Sequence, residues 1–209
     1  MSNSNILLLG GIVTIPLVLF SILSMVLIGE RLLFWWNINR RQRKMVQYVL
    51  QNYQKDQRMA IQVLKQNTDL PIARIFLAAL LLNRPTPDEF RLALETAAQA
   101  ELPLLKRFNT VFETIITVSP LLGLLGTILG LIRSFSSLQL GDIGGSNSAE
   151  VTGGIGEALV STVIGLVVAI FTLLFANLFR SFYLRQSAFI QESGGQLELL
   201  YRQSVMGNR

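Results

Sequence analysis

The chain has 209 residues, of which 51% are apolar and only 15% charged, and it contains no cysteine and no histidine. Soluble domains carry about 25% charged residues, so this balance speaks against an ordinary soluble enzyme. The absent residues exclude a disulfide scaffold, thiolate chemistry, the usual general base and the commonest metal ligand. The net charge of +5 suits either a nucleic-acid surface or the orientation of membrane segments. The placement of the cations decides between them.

Three runs lack charge: Ile6–Ile28, Ile115–Ile132 and Ala158–Phe179. Each is on the scale of the roughly 20 apolar residues that cross a bilayer. The first has no positive flank before it and no small-residue cleavage site after it, so it is expected to be retained rather than removed as a signal peptide. Arg31, Arg40, Arg41, Arg43 and Lys44 follow the first run, Lys106 and Arg107 precede the second, and Arg180 and Arg185 follow the third. The tail before the first run and the stretch Ser136–Glu150 have no lysine or arginine. The positive-inside rule then orders the chain as an outside tail (1–5), a span (6–28), a cytoplasmic helical segment (29–107), a span (108–135), a short periplasmic loop (136–150), a span (151–179) and a cytoplasmic tail (180–209). With every cation but Arg133 on one side, nucleic acid is not expected as a partner.

Between the first and second spans the pattern is helical. Met45, Val46, Val49, Leu50 and Tyr53, then Met59, Ile61, Val63 and Leu64, fit an amphipathic helix broken near Asp56. Asn67, Thr68, Asp69 and Pro71 form a turn and a second helix start, followed by apolar Ile72–Leu82. Thr86, Pro87 and Glu89 make a capping signature. From there one helix is expected from about 87 to 135, kinked at Pro103 and Pro120, and about 70 Å long. The third span is expected to start near Val151 or Thr152 and to run on to a stop at Gly194–Gly195. The fold class is thus an all-α membrane protein with three transmembrane helices, two of them extended into a cytoplasmic helical bundle. No cofactor or metal site is indicated, and no nucleophile–base pair suggests an enzyme.

Small residues recur at three- and four-residue spacing in the second span (Gly123, Gly126, Thr127, Gly130, Ser134) and in the third (Ala158, Ser161, Thr162, Gly165, Ala169, Thr172, Ala176). Such stripes let membrane helices approach closely. The hydroxyls of Thr127, Ser161 and Thr162 either satisfy carbonyls of their own helices or face something else. Glu157 either complements the helix N-terminus or is a functional acid at membrane depth. On the expected start it lies about 9 Å along its helix, Thr127 lies about 12 Å from the same side, and Thr162 about one turn beyond Glu157. Glu157 and Thr162 are about 140° apart around one helix, so adjacent subunits would be needed to bring them together. Glu113 reads as a solvated ion-pair partner of Lys106 and Arg107. Trp35 and Trp36, with Arg40, Arg41, Arg43 and Lys44, read as interface anchors that also touch anionic lipid.

At the last two spans the chain resembles the MotA/TolQ/ExbB proton-channel family. The matching stretches are TIITVSPLLGLLGTILGLIRSF (Thr114–Phe135) and GIGEALVSTVIGLVVAIFTLLFAN (Gly154–Asn177). Three spans look like the ExbB and TolQ branch. The resemblance implies a homopentamer around a pore in the bacterial inner membrane. In that pore would sit an ExbD- or TolR-like single-span partner with a membrane aspartate. Proton flow would drive a TonB- or TolA-like protein, serving nutrient import or, in a TolQ-like role, envelope maintenance. Thr127 and Thr162 match the family's pore threonines and Glu157 its membrane glutamate. Gly154, where the family often has proline, and Arg133 depart from the pattern. A non-conducting scaffold, with the small residues serving only assembly, is the other reading.

Overall fold

The computed structural model describes residues 12–136 and 148–207, without the side chains of 148–154, 157 and 207. The described residues form six helices and no strand: α1 (Thr14–Asn52), α2 (Gln57–Lys65), α3 (Pro71–Leu80), α4 (Pro87–Leu105), α5 (Asn109–Ser136) and α6 (Ser148–Gly207). Three of the stretches are long and apolar enough to cross a membrane. The chain divides into two compact units. One comprises the described residues of Met1–Glu30 and Phe108–Leu178, the other Arg31–Arg107 and Phe179–Arg209.

The first unit holds the apolar spans. Only 22%, 22% and 33% of the three most apolar windows are buried within the chain, so lipid or other subunits must cover the rest. Inside the unit Leu17, Ile115, Ala158 and Val168 are buried. Ser24 Oγ and Thr172 Oγ1 meet at 2.7 Å between α1 and α6, and Thr172 also donates to Val168 O at 2.7 Å. Such hydroxyl pairs satisfy each other where no water is at hand.

The second unit is an ordinary helical core. Pro71, Ile72, Ala73, Ile75, Phe76, Leu77, Ala79 and Leu80 are all buried, so α3 is its centre. Asp56 caps α2 by accepting from Met59 N at 3.0 Å, which places the break where the sequence does. Thr86 and Glu89 form the expected capping box. Arg74 holds Glu101 through two hydrogen bonds of 2.6 Å and donates to Thr68 O at 2.6 Å. The Glu101 hydrogen bond raises the Arg74 pKa, with the charges of Glu101 and Asp69 adding to it against an opposing cost of burial. Gln42 and Gln186, both buried, exchange amide hydrogen bonds of 2.5 and 2.7 Å. The pairings Trp35–Phe182, Gln42–Gln186 and Gln54–Gln203 advance together along both helices, so α1 and α6 run parallel in this unit. Burial, reinforced by Tyr201, pushes the Tyr53 phenol up to about 12.

Three sequence expectations need correction. The helix expected from 87 to 135 is two helices. Pro103 has no N–H and so leaves the Gln99 carbonyl without its helical donor. α4 ends two residues later at Leu105, and Phe108 takes a left-handed φ of 68° before α5 begins. Pro120, by contrast, is accommodated inside α5. The stop expected at Gly194–Gly195 does not occur, and α6 continues to Gly207. Gln186, Ile190, Ser193 and Leu197 are buried at helical spacing, and this packing outweighs a glycine cost of about 1 kcal/mol per residue. Finally, α6 begins at Ser148 rather than near Val151 or Thr152, which puts Glu157 about 13 Å along it. The rest of the expected loop, residues 137–147, lies outside the described residues.

A Cβ added at Gly194 or Gly195 meets nothing within 4 Å. Replacing both by alanine is therefore expected to raise stability by about 1 kcal/mol each, read as a higher thermal midpoint of the detergent-solubilised protein. A lower midpoint would show that the glycines are needed. Glu89, accepting from Thr86 N at 2.7 Å and Thr86 Oγ1 at 2.9 Å, is held below the usual carboxylate range by those two bonds. A carboxylate lowered in the fold adds stability above its unfolded pKa of about 4.3, and loses it as pH falls through the folded value. Glu89→Gln should thus be the less stable protein at pH 7, with the gap closing in acid. A gap that is constant with pH would contradict this.

Candidate functional site

The site is the seam between α5 and α6 in the first unit. The two helices run antiparallel: Ser119 lies against Gly165, Gly123 against Ser161 and Thr162, and Gly126 against Ser161. Absent Cβ atoms make this approach possible. A Cβ at Gly123 would sit 2.9 Å from Thr162 Cα and 3.0 Å from Ser161 O. One at Gly165 would sit 2.5 Å from Ser119 O, and one at Gly126 would overlap the Ser161 side chain. Backbone thus meets backbone, the geometry that small-residue stripes provide in membranes.

Close approach brings hydroxyls across the seam. Thr162 Oγ1 donates to Gly123 O of the neighbouring helix at 2.9 Å. Ser161 Oγ lies 3.2 Å from the same carbonyl and 2.8 Å from Ala158 O of its own helix. Thr127 Oγ1 donates to Leu124 O at 2.6 Å and Ser134 Oγ to Gly130 O at 3.0 Å, both within α5. The structure therefore joins Gly123, Gly126, Ser161, Thr162 and Gly165. Thr127 lies one turn beyond Gly123 with its hydroxyl bonded inside its own helix. Glu157 is in α6, but its side chain lies outside the described residues. Among the described residues no group of three metal-ligating side chains comes together.

The residues read as interface anchors separate. Trp35 is buried at 1% exposure, against Phe34 and Phe182, whereas Trp36 is exposed at 64%. The Arg40 guanidinium lies 5.7 Å from the Trp36 ring centre. Arg41 is engaged by Asp69 at 2.5 Å and Asn67 at 3.0 Å. Arg40, Arg41 and Lys44 line a cavity of about 510 Å³ with Met45, Tyr48, Val63 and Asn67, and Arg43 is exposed. Glu113 accepts from Asn109 Nδ2 at 2.9 Å, and the Lys106 ammonium lies 4.7 Å from the Tyr183 ring centre.

Sequence reasoning passed over Ser119, whose side chain is fully buried and has no hydrogen-bond partner. Its signal was present, because it stands four residues before Gly123 on the same stripe. The Gln42–Gln186 pair was also missed. Its signal was a polar residue on the apolar face of each helix.

An all-helical protein with three membrane-length helices, two of them joined through a glycine seam carrying hydroxyls, defines a membrane subunit of the transport or channel class. Residues 67–192 match the MotA/TolQ/ExbB proton channel family, and the chain belongs to that family, in its ExbB-like branch. It is 67% identical over 193 residues to the biopolymer transport protein ExbB-like 3 of Synechocystis, covering 92% of each chain. It is 42% identical over 197 residues to ExbB-like 1 of the same organism, covering 93% of this chain and 77% of that one. With the biopolymer transport protein ExbB of Salmonella typhimurium it shares 39% identity over 90 residues, 43% of this chain and 35% of that one. Membership makes it a membrane subunit of energy-transducing transport.

Gly165 and Gly156 give a matched test of the seam. Gly165→Ala places a Cβ against backbone, which cannot move aside as a side chain can, and is expected to cost about 1–3 kcal/mol. At Gly156 an added Cβ meets nothing within 4 Å, and Gly156→Ala is expected to be neutral or stabilising. The check is thermal unfolding in detergent, and equal effects at the two positions would refute the seam.

Proposed function

We propose that this chain is the proton-conducting subunit of an inner-membrane energy-transducing complex of ExbB type. Its N-terminus faces the periplasm and its C-terminus the cytoplasm. Five copies surround a pore that receives single-span ExbD- or TolR-like helices bearing a membrane aspartate. Proton movement drives a TonB- or TolA-like protein, which does work such as nutrient import at the outer membrane. Thr127, Glu157 and Thr162 line the path, and Gly123, Gly126, Gly130, Ser161 and Gly165 bring the helices together.

The observation that carries this reading is the pairing of Thr162 with the Gly123 carbonyl inside otherwise apolar spans, on the helix that also holds Glu157. Polar groups at such depth are costly unless they work or are satisfied. With no histidine in the chain, a carboxylate is the natural titrating group. A scaffold reading draws on the same bonds, since every hydroxyl that donates to a carbonyl is already satisfied.

The discriminating experiment is proton flux into vesicles containing this chain with an aspartate-bearing partner, under an imposed pH gradient. Glu157→Gln and Thr162→Val are expected to lower the flux roughly 100-fold, the scale of a lost proton-transfer group, while the complex still assembles. Unchanged flux with altered assembly would favour the scaffold. A flux that follows sodium rather than the pH gradient would replace the proton as the coupling ion.

A further inference from the structure

We propose that the cavity between α1 and α2 binds the headgroup of one anionic phospholipid. The site lies wholly within the second unit and does not depend on the function proposed above. α1 supplies Arg40, Lys44, Met45 and Tyr48, and the facing wall is Val63 of α2 with Asn67 of the turn that follows. The volume of about 510 Å³ suits a small-molecule site, which runs from about 300 to 1,000 Å³. None of the lining side chains is acidic. Arg41 also lines the cavity, but Asp69 and Asn67 occupy its guanidinium. Asp69 thereby neutralises Arg41 and ties the turn to α1. Among the described residues no ion pair or hydrogen bond engages the side chain of Arg40 or Lys44. Two cations therefore line the cavity without a counter-charge.

The neighbouring surface selects the occupant. Leu33 and Trp36 are exposed, and apolar surface is costly in water but not in lipid. Arg40 and Lys44 follow on the same face, because 33, 36, 40 and 44 are three or four residues apart. The face thus passes from aliphatic to aromatic to cationic over about 17 Å, the order in which a helix leaves hydrocarbon through the headgroup layer. Side chains of a helix lean toward its N-terminus, so Arg40 and Lys44 reach back along α1 toward Trp36. The Arg40 guanidinium lies 5.7 Å from the Trp36 ring centre, beside the exposed indole. A phospholipid meets all of these features at once. Its phosphate answers the two cations, its acyl chains cover Leu33 and Trp36, and its glycerol backbone packs on Met45 and Val63. A soluble anion would leave the apolar surface beside the cations bare. Occupancy also joins α1 to α2, so the lipid stabilises the fold by mass action.

The experiment titrates the intact protein in nonionic detergent with phosphatidylglycerol, phosphatidylcholine, inorganic phosphate or an oligoglutamate peptide. It reads the thermal midpoint, with bound lipid counted by native mass spectrometry. The parent is expected to gain stability with phosphatidylglycerol alone, saturating at one lipid per chain. A cation at an anionic surface is worth roughly fivefold in binding, so Lys44→Gln should need roughly fivefold more lipid for half the effect, and Arg40→Gln with Lys44→Gln roughly thirtyfold more. Neither side chain has an ion pair to lose, so the midpoints without lipid should match the parent's. Arg43→Gln is the control. Arg43 is exposed in the same basic run but does not line the cavity, and its loss should leave the half-saturating concentration unchanged. Equal losses in Arg43→Gln and Lys44→Gln would mean diffuse attraction between charges. An equal response to phosphatidylcholine would mean that the headgroup is not selected. A stronger response to phosphate or to the peptide would give the cavity a soluble ligand or a protein partner instead. Each of these overturns the proposal, as does a parent that phosphatidylglycerol leaves unchanged.

Discussion

The structure depends on the absence of a Cβ at three positions. In water, two helices are driven together by burying apolar surface, but lipid tails are as apolar as the side chains, so that drive is missing between spans. What remains is contact at short range and hydrogen bonding. Gly123, Gly126 and Gly165 let α5 and α6 meet backbone to backbone, and only at that separation can Thr162 reach the Gly123 carbonyl. The packing device and the polar site are therefore one feature. Widening the seam by a methyl group would remove the hydrogen bond as well as the contact.

The second unit is held by different means although α1 and α6 contribute to both. There, α3 is buried almost whole, the starts of α2 and α4 are capped by side chains, and Arg74 clamps Glu101. Between α1 and α6 the polar contacts follow the same division. In the apolar unit they are small hydroxyls, Ser24 with Thr172, which leave little unsatisfied when paired. In the polar unit they are two glutamines, Gln42 and Gln186. A buried amide pair contributes direction more than stability, because a slip along either helix would leave two carboxamides unsatisfied. Its effect is to fix the register in which the helices lie side by side.

Much of this was legible in the chain because the signals were local. Charge-free runs, the Thr86–Glu89 capping box and the break at Asp56 each need only a few adjacent residues. The errors arose where a distant contact decided. Gly194 and Gly195 read as a stop, but Ile190, Ser193 and Leu197 are buried, and Gln186 before them and Tyr201 and Gln203 after them meet residues far away in sequence, so the helix carries through. Pro103 read as a kink like Pro120, yet one helix ends after its proline and the other continues. Trp35 and Trp36 looked equivalent as neighbours in an aromatic belt. They are turned about 100° from one another around α1, and one of them is core. In the candidate site the stripe was visible from spacing alone. Which hydroxyl bonds across the seam, which bonds within its own helix and which bonds to nothing was not, because that depends on the rotation of α5 against α6.

The bonding pattern also bears on what the seam can offer a mobile proton. A threonine has one proton to give and two lone pairs. Once Thr127 donates to Leu124 O and Thr162 to Gly123 O, neither has a proton free for another partner, and both are left as acceptors with fixed orientation. A fixed acceptor favours a group that carries an extra proton over one that has lost it. In a chain without histidine, the acid that the third span holds is Glu157. Oxygens of this kind can accept from its protonated form. That is a consequence of carbonyl-bonded hydroxyls beside a glycine seam, and it needs no further ionisable residue in the spans.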